Sequence, residues 1–269
     1  MVMTELSGDL RAEVDELQVF LANISAQDWQ RPTPFKGWTC EDVLRHLMFG
    51  DWLNYLSMTD SERFVDVMSQ RAAARAAGKR GDGTEYLDQS VGHGAGLLAQ
   101  WHRGLHQLCD LFKDADAKAR MKWVGPDMSI RSAATARLME TWAHGQDVYD
   151  LFQVEREARD RIRHIAVLGV NTFGWTFVNR GLDVPAPAPF VELVAPSGEI
   201  WRWNEPDESN KVSGPALDFC QVVTQGRHFA DVGLSAVGPT ATSWMNIAQC
   251  FAGPAEDPPA PGTRAWAGN

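Results

Sequence analysis

The sequence predicts a mainly helical α+β protein in two parts, a helical bundle followed by a small α/β domain. Three observations predict this organisation. Apolar residues recur at helical spacing through residues 4–179. A linker rich in proline, NRGLDVPAPAPF, comes next. Beyond it, apolar and polar residues alternate as they do in strands. We therefore predict a bundle at 1–182, an α/β domain at 183–256 and a disordered tail at 257–269.

The first two helices are predicted on either side of a loop. In residues 4–27 leucine, valine and phenylalanine recur every three or four positions, which is typical of one buried helix face. The loop DWQRPTPFKGW ends this run. Thr39 then precedes Asp42 by three residues, which resembles a capping box with Asp in place of Glu. We expect the second helix to begin at about residue 40.

Three more helices complete the predicted bundle. The segment AARAAGKRGDGTEY is small, charged and interrupted by glycine, so we expect a mobile connection there. A third helix is predicted over 91–114, where leucine and aromatic side chains form one stripe. A fourth is predicted over 130–152. A fifth, over 157–179, is the additional helix beyond the four of the bundle and ends at the linker.

Strands replace helices after the linker. The segments FVELVAP and EIWRWNE alternate in polarity around Pro196-Ser197-Gly198, which predicts a β-hairpin. Two further helical runs follow, GPALDFCQVVTQGR and TATSWMNIAQCFAG.

Composition excludes several classes of function. A net charge of −10 disfavours binding to a nucleic-acid backbone, which needs clustered Lys and Arg. The four cysteines lie far apart without a Cys-x-x-Cys motif, which argues against a cysteine zinc site, an iron–sulfur cluster and a disulfide scaffold. The acidic start does not resemble a signal peptide, and no run of eighteen apolar residues occurs. We expect a cytoplasmic protein with a small-molecule substrate and no nucleic-acid or membrane partner. The oligomeric state is open, a homodimer included.

Four pairs of potential metal ligands have the i, i+4 spacing that places two side chains on one helix face. They are Asp42/His46, Glu140/His144, Asp160/His164 and His102/His106. Spacing alone does not choose among them, because surface ion pairs have the same spacing.

The surroundings of each pair separate them. A role as a helix cap is enough to explain the presence of Asp42 without a metal. Asp160/His164 lies in a charged run that we interpret as a solvated face. The pair at 102 and 106 borders an apolar stripe and is either a bundle-edge pair or a second metal site. His46 belongs to an apolar stripe and is predicted to face inward.

Glu140 is the least expected of these acids. It lies in the middle of a helix among apolar neighbours, where an ionised carboxylate is costly unless it is paired or coordinated. A metal bound by Glu140 and His144 is one explanation, and a buried hydrogen bond between the two is the other.

Two motifs resemble those of the DinB-like helical-bundle superfamily, in particular its mycothiol-dependent maleylpyruvate isomerases. The first is Trp29, then Gly37-Trp38-Thr39 and His46; the second is Glu140, His144 and Asp147. The resemblance covers about residues 5–155. It implies an up-down-down-up four-helix bundle, and it implies one divalent metal, most often zinc, bound by His46, Glu140 and His144.

The same resemblance implies a function. Three ligands leave a coordination position open, as in a catalytic zinc site. In the family, the thiol of a low-molecular-weight cofactor, mycothiol, binds there and loses its proton. We therefore expect a metal-dependent isomerase or S-transferase. Asp147, three residues after His144, could orient that imidazole. Arg137 could bind a dicarboxylate substrate, or else pair with Glu140 or face solvent.

Two other functions remain open on the sequence alone. A hydrolase would use metal-bound water and a nearby base, for which Asp147 and Asp51 are candidates. A non-enzymatic protein could use the metal site or the α/β domain to carry a small apolar ligand, since 11 tryptophans make an apolar pocket easy to build.

Overall fold

The computed structural model describes residues 3–79, 81–87 and 90–264. The chain divides into two compact units between Leu151 and Phe152. The elements of the first unit are α1 (Met3–Leu21), α2 (Cys40–Thr59), α3 (Ser61–Ala76), α4 (Gly94–Asp114), the short strands β1 (Arg120–Met121) and β2 (Met128–Ser129), and α5 (Ile130–Phe152).

Contacts between facing residues give the direction of each helix in the bundle of α1, α2, α4 and α5. α1 and α4 are antiparallel, because Ser7 contacts Cys109 and Asp15 contacts His102. α2 and α5 are also antiparallel, because His46 contacts Glu140 and Asp51 contacts Arg137. α2 and α4 are parallel, because Glu41 contacts Gly94 and Asp51 contacts Trp101. The bundle is therefore up-down-down-up, and the predicted topology is confirmed.

Apolar stripes on these helices form the core of the first unit. The predicted stripe of α4 is buried throughout, at Leu97, Leu98, Trp101, Leu105, Leu108 and Phe112. α2 begins at Cys40, and the predicted capping box is present because Thr39 and Asp42 exchange side-chain to backbone hydrogen bonds.

Two predicted segments differ from the structure. α3 (Ser61–Ala76) was not predicted, and it enters the segment expected to be a mobile connection. Only Phe64 and Val67 of this helix are buried, so its sequence carries little apolar periodicity. The predicted fifth helix over 157–179 is broken into a short 3₁₀ turn, α6 (Arg163–Asn171) and α7 (Phe173–Val178).

The second unit contains a four-stranded sheet and four short helices among its described residues. Besides α6 and α7, its elements are β3 (Phe190–Val194), β4 (Ile200–Trp203), β5 (Lys211–Pro215), α8 (Ala216–Val223), β6 (Ser235–Val237) and α9 (Pro239–Ile247). The strand order is β4-β3-β5-β6, with β3 and β5 parallel and the other pairs antiparallel. The predicted hairpin is present, since β3 pairs with β4 and Gly198 takes a φ of 88° in the turn.

The division between units lies earlier in the chain than the predicted boundary after residue 182. The cause is packing: α6 contacts α8, and α7 contacts α9. The aromatic rings of Phe173, Phe219 and Trp244 contact one another in this core.

The predicted disordered tail is partly described. Within it, Gly262 donates its backbone N–H to Asp231 and Arg264 donates to the carbonyl of Gln225. Residues 265–269 lie outside the described residues. In the part of the chain that the structure describes, no helix combines the length and the apolar character needed to cross a membrane.

Candidate metal centre

The antiparallel packing of α2 on α5 brings three potential metal ligands together. The Nε2 atom of His46 lies 3.1 Å from Oε2 of Glu140, and Nε2 of His144 lies 3.4 Å from the same oxygen. One donor atom from each residue lies within 4.8 Å of the others. The three residues that the motifs predicted as ligands therefore form one cluster, although two of them are almost a hundred positions from the third in sequence.

These distances suit a tetrahedral ion. Zinc bonds to histidine nitrogen and carboxylate oxygen are about 2.0–2.2 Å long, which separates neighbouring ligand atoms by about 3.4 Å. The two measured separations from Glu140 are close to that value. Two nitrogens and one oxygen also match the donor set of catalytic zinc sites, which have three protein ligands and one position for another molecule.

Burial and hydrogen bonding set the charges of this cluster. Although burial acts in the opposite direction, hydrogen bonds with His144 and His46 hold the pKa of the Glu140 carboxyl well below its usual value. Burial lowers the pKa of His46, and the hydrogen bond with Glu140 opposes that change only in part. At neutral pH the carboxylate is thus ionised and the imidazole of His46 is neutral, which are the forms that bind a metal.

Asp147 orients one of the two imidazoles. Its Oδ2 lies 3.2 Å from Nδ1 of His144, and both residues are buried. A proton on Nδ1 donates to this carboxylate, and this tautomer would offer the Nε2 lone pair to a metal ion in place of the hydrogen bond to Glu140. The sequence predicted this contact from the spacing of the two residues.

An aromatic wall covers one side of the cluster. The Trp38 ring stacks on His144 with centroids 5.5 Å apart, and it lies 5.1 Å from the ring of His46. Phe35 meets the edge of His144 at 5.0 Å. The capping box at Thr39 fixes the point where this loop joins α2. The cluster is not fully enclosed, since the side chain of His46 remains 39% exposed, which modifies the prediction that it faces inward.

The role of Phe35 was not predicted from the sequence. Phe35 reaches His144 because the chain turns back at Lys36 and Gly37, which both have positive φ, and Trp38 then donates its N–H to the Phe35 carbonyl. The Lys-Gly pair between two aromatic residues is the signal in the sequence that could have indicated this turn.

Arg137 lies one helical turn before Glu140 but faces Asp51. Its Nε donates to Oδ1 of Asp51 at 2.7 Å, and its guanidinium also donates to a backbone carbonyl of α2. Trp101 donates to the other Asp51 oxygen at 2.9 Å. Gly50 makes room for this arrangement, because a Cβ there would lie 2.7 Å from Arg137. The arginine is buried in an ion pair and is not a surface residue.

The other histidine pairs have different surroundings. Asp42 accepts hydrogen bonds from Thr39, as expected of a cap. His164 is buried, so its helix face is not solvated as the charged run suggested. His102 and His106 face α1, where both contact Asp15, rather than joining the cluster around Glu140.

Comparison with known proteins shows which family the chain is related to. A sequence model of the mycothiol maleylpyruvate isomerase N-terminal domain matches residues 10–149. Two uncharacterized proteins from two strains of Mycobacterium tuberculosis are each 43% identical over 250 residues, covering 92% of this chain and 95% of theirs.

Solved structures agree on the fold. The crystal structure of the mycothiol-dependent maleylpyruvate isomerase superposes with a TM-score of 0.53 at 11% identity, covering 82% of this chain and 88% of that one. A point mutant of the same isomerase gives the same values. At this identity the likeness concerns the fold. The sequence match spans more than half of the chain and includes both predicted motifs, and the chain belongs to the family defined by the mycothiol maleylpyruvate isomerase N-terminal domain.

Proposed function

We propose that this protein is a metal-dependent enzyme that uses a low-molecular-weight thiol, with one divalent metal, zinc in the first instance, bound by His46, Glu140 and His144. The observation that supports this most is the convergence of these side chains from two helices at separations of 3.1 and 3.4 Å around one carboxylate oxygen. These residues would hold a zinc-type ion, which would supply an environment that favours the thiolate form of a coordinated thiol at neutral pH.

Family membership supports a thiol as the ligand of the open position. The chain shares its N-terminal domain with mycothiol maleylpyruvate isomerases, so mycothiol is the first candidate. A thiolate can add to a double bond, permit rotation about the resulting single bond and be expelled again, or it can displace a leaving group from an electrophilic carbon and remain attached as a conjugate. We propose an isomerase or S-transferase reaction on a small electrophilic substrate.

The residues around the metal would each have a distinct task. Asp147 fixes the His144 tautomer, and the ring of Trp38 limits water on one side of the cluster. The exposed side of His46 gives the thiol and substrate their access. Arg137 is a positioning residue in this proposal, because its guanidinium is held by Asp51.

The same contacts argue against hydrolysis. A hydrolase would need a free base beside metal-bound water. Asp51 is engaged by Arg137 and Trp101, and Asp147 is engaged by His144. Both acids considered for that role therefore have structural partners.

Cobalt substitution tests the thiol. We expect the cobalt-loaded protein to develop a sulfur-to-cobalt charge-transfer band when mycothiol is added, because the thiolate enters the metal's coordination shell. The S-methyl derivative of mycothiol, a thioether that has no ionisable S–H, is the matched control ligand. A cobalt spectrum that does not respond to mycothiol, while still responding to a small anion such as cyanide, would exclude thiol coordination.

Removing the carboxylate that orients His144 tests the positioning role of Asp147. We expect Asp147→Asn to weaken metal affinity by about 10–100-fold, the usual cost of losing such a partner. The asparagine keeps the shape but no longer supplies the charge that favours a proton on Nδ1. Asp150→Asn, on the same helix, is the control. Equal affinities of Asp147→Asn and the parent would show that the contact is only structural.

A further inference from the structure

A second group of metal-binding side chains lies where α1 faces α4. His102 and His106 are one turn apart on the same face of α4, and Asp15 faces them from α1. The Nε2 atoms of both histidines lie 2.7 Å from the same oxygen, Oδ1 of Asp15. Their ring centroids are 4.1 Å apart. The three donor atoms all lie within 4.8 Å of one another.

We propose that Asp15, His102 and His106 form a second site for a divalent transition-metal ion of the zinc type. Two imidazoles and one carboxylate are ligands that zinc, cobalt and nickel accept. The helical backbone of α4 sets the spacing of the histidines, and the antiparallel register of α1 supplies the acid. The ion would cross-link two helices of the bundle. This proposal does not depend on the function proposed for the cluster around Glu140.

The side chains can adjust to an ion without a change in the backbone. Contacts of 2.7 Å are hydrogen-bond distances, whereas neighbouring ligands of a tetrahedral ion lie about 3.4 Å apart. The side chains of Asp15, His102 and His106 are 48%, 28% and 27% exposed, so rotation about their side-chain bonds is not blocked by a close-packed core. Exposure also leaves coordination positions open to water.

Arg11 competes with the ion in the metal-free protein. Its Nη1 lies 2.8 Å from Nδ1 of His106, and its Nη2 donates to Asp110 at 2.6 Å. Because a guanidinium can only donate, Nδ1 accepts and the His106 proton resides on Nε2. Metal binding through Nε2 moves that proton to Nδ1, and Arg11 must then release Nδ1, while it can keep its bonds to Asp110 and to the His106 carbonyl. The positive charge of Arg11 also opposes a cation, so this site is the weaker of the two.

Cobalt titration of His144→Ala isolates this site, because that variant lacks a ligand of the cluster around Glu140. We expect one equivalent of cobalt to bind with visible d–d absorption, in protein freed of any histidine tag. Asp15→Asn, and separately His102→Gln/His106→Gln, should lower the affinity by at least about 10–100-fold, since each removes a ligand and not only an outer partner. His93→Gln, which replaces an exposed histidine at the start of α4, is the control and should bind as the parent does.

Arg11→Gln separates a metal site at Asp15, His102 and His106 from a group of surface side chains that binds no metal specifically. It removes the competing donor and the charge, so we expect it to bind cobalt more tightly than the parent. The assigned site would be overturned if the His144→Ala protein, which is the parent here, bound no cobalt. It would also be overturned if adding Asp15→Asn, or adding Arg11→Gln, left the affinity for cobalt unchanged. If His144→Ala instead binds two equivalents and Asp15→Asn removes one, the second site stands and the ligands proposed for the first are wrong.

Discussion

His46→Ala and His144→Ala each release the divalent metal that the purified protein is expected to carry at close to one equivalent after dialysis. Each variant removes one of the three donor atoms, from His46, Glu140 and His144, that lie within 4.8 Å of one another. The expected loss of affinity exceeds the roughly 10–100-fold that follows from losing a partner outside the coordination shell. Metal content by elemental analysis and helix content by circular dichroism together separate loss of metal from loss of fold.

Glu140→Gln belongs to the same prediction and adds a control. The amide keeps the size of the side chain but removes the charge and much of the donor strength, so metal affinity should fall substantially. His102→Gln/His106→Gln should leave this tight site unchanged, because those histidines face Asp15 on α1. The assigned ligands would be refuted if both His46→Ala and His144→Ala retained the full metal content. They would also be refuted if His102→Gln/His106→Gln lost the metal while Glu140→Gln retained it.

The structure brings His46, Glu140 and His144 together, and part of this arrangement was predictable for a physical reason. A mid-helix glutamate among apolar residues needs a partner, and a histidine at i+4 on the same face is a local signal that does not depend on tertiary structure. The capping box at Thr39 is equally local. The predicted stripe of α4 proved buried because its apolar residues recur at helical spacing from Leu97 to Phe112. Local patterns were thus sufficient for the capping box and the α4 stripe and singled out the Glu140/His144 pair, whereas the addition of His46 from another helix came from the family resemblance.

Features that depend on tertiary packing were not predictable in the same way. Asp15 meets His102 and His106 only because α1 and α4 run antiparallel in one particular register. The pairing of Arg137 with Asp51 likewise depends on the register of α5 against α2 and on the space above Gly50. The unit boundary followed the packing of α6 on α8, which no local pattern records. α3 carries too few buried residues to produce a clear period.

The second large effect is expected on stability, at the ion pair between Asp51 and Arg137. Their side chains are only 5% and 4% exposed, with N and O atoms 2.7 Å apart. Burial raises the pKa of the Asp51 carboxyl, and the guanidinium of Arg137 opposes that rise. Removing one partner leaves the other buried without compensation, which typically costs about 3–5 kcal/mol.

We therefore expect Asp51→Asn to lower the free energy of unfolding of the metal-free helical unit by an amount of that order, measured by urea denaturation. Asn keeps the size of the side chain and an oxygen that Trp101 can use, so the loss reports mainly the stranded charge of Arg137. The double variant Asp51→Asn/Arg137→Met removes both charges. It should be destabilised by clearly less than the sum of the two single variants.

An exposed ion pair in the same unit supplies the matched control. Lys122 and Asp127 lie 3.1 Å apart with side chains 53% and 43% exposed, and such pairs contribute about 0–1 kcal/mol. Lys122→Met should therefore change stability by no more than that. Additive losses in the double variant at Asp51 and Arg137 would mean that the two charges do not stabilise each other. Arg137 would then have to be held by its bond to the α2 backbone rather than by the acid.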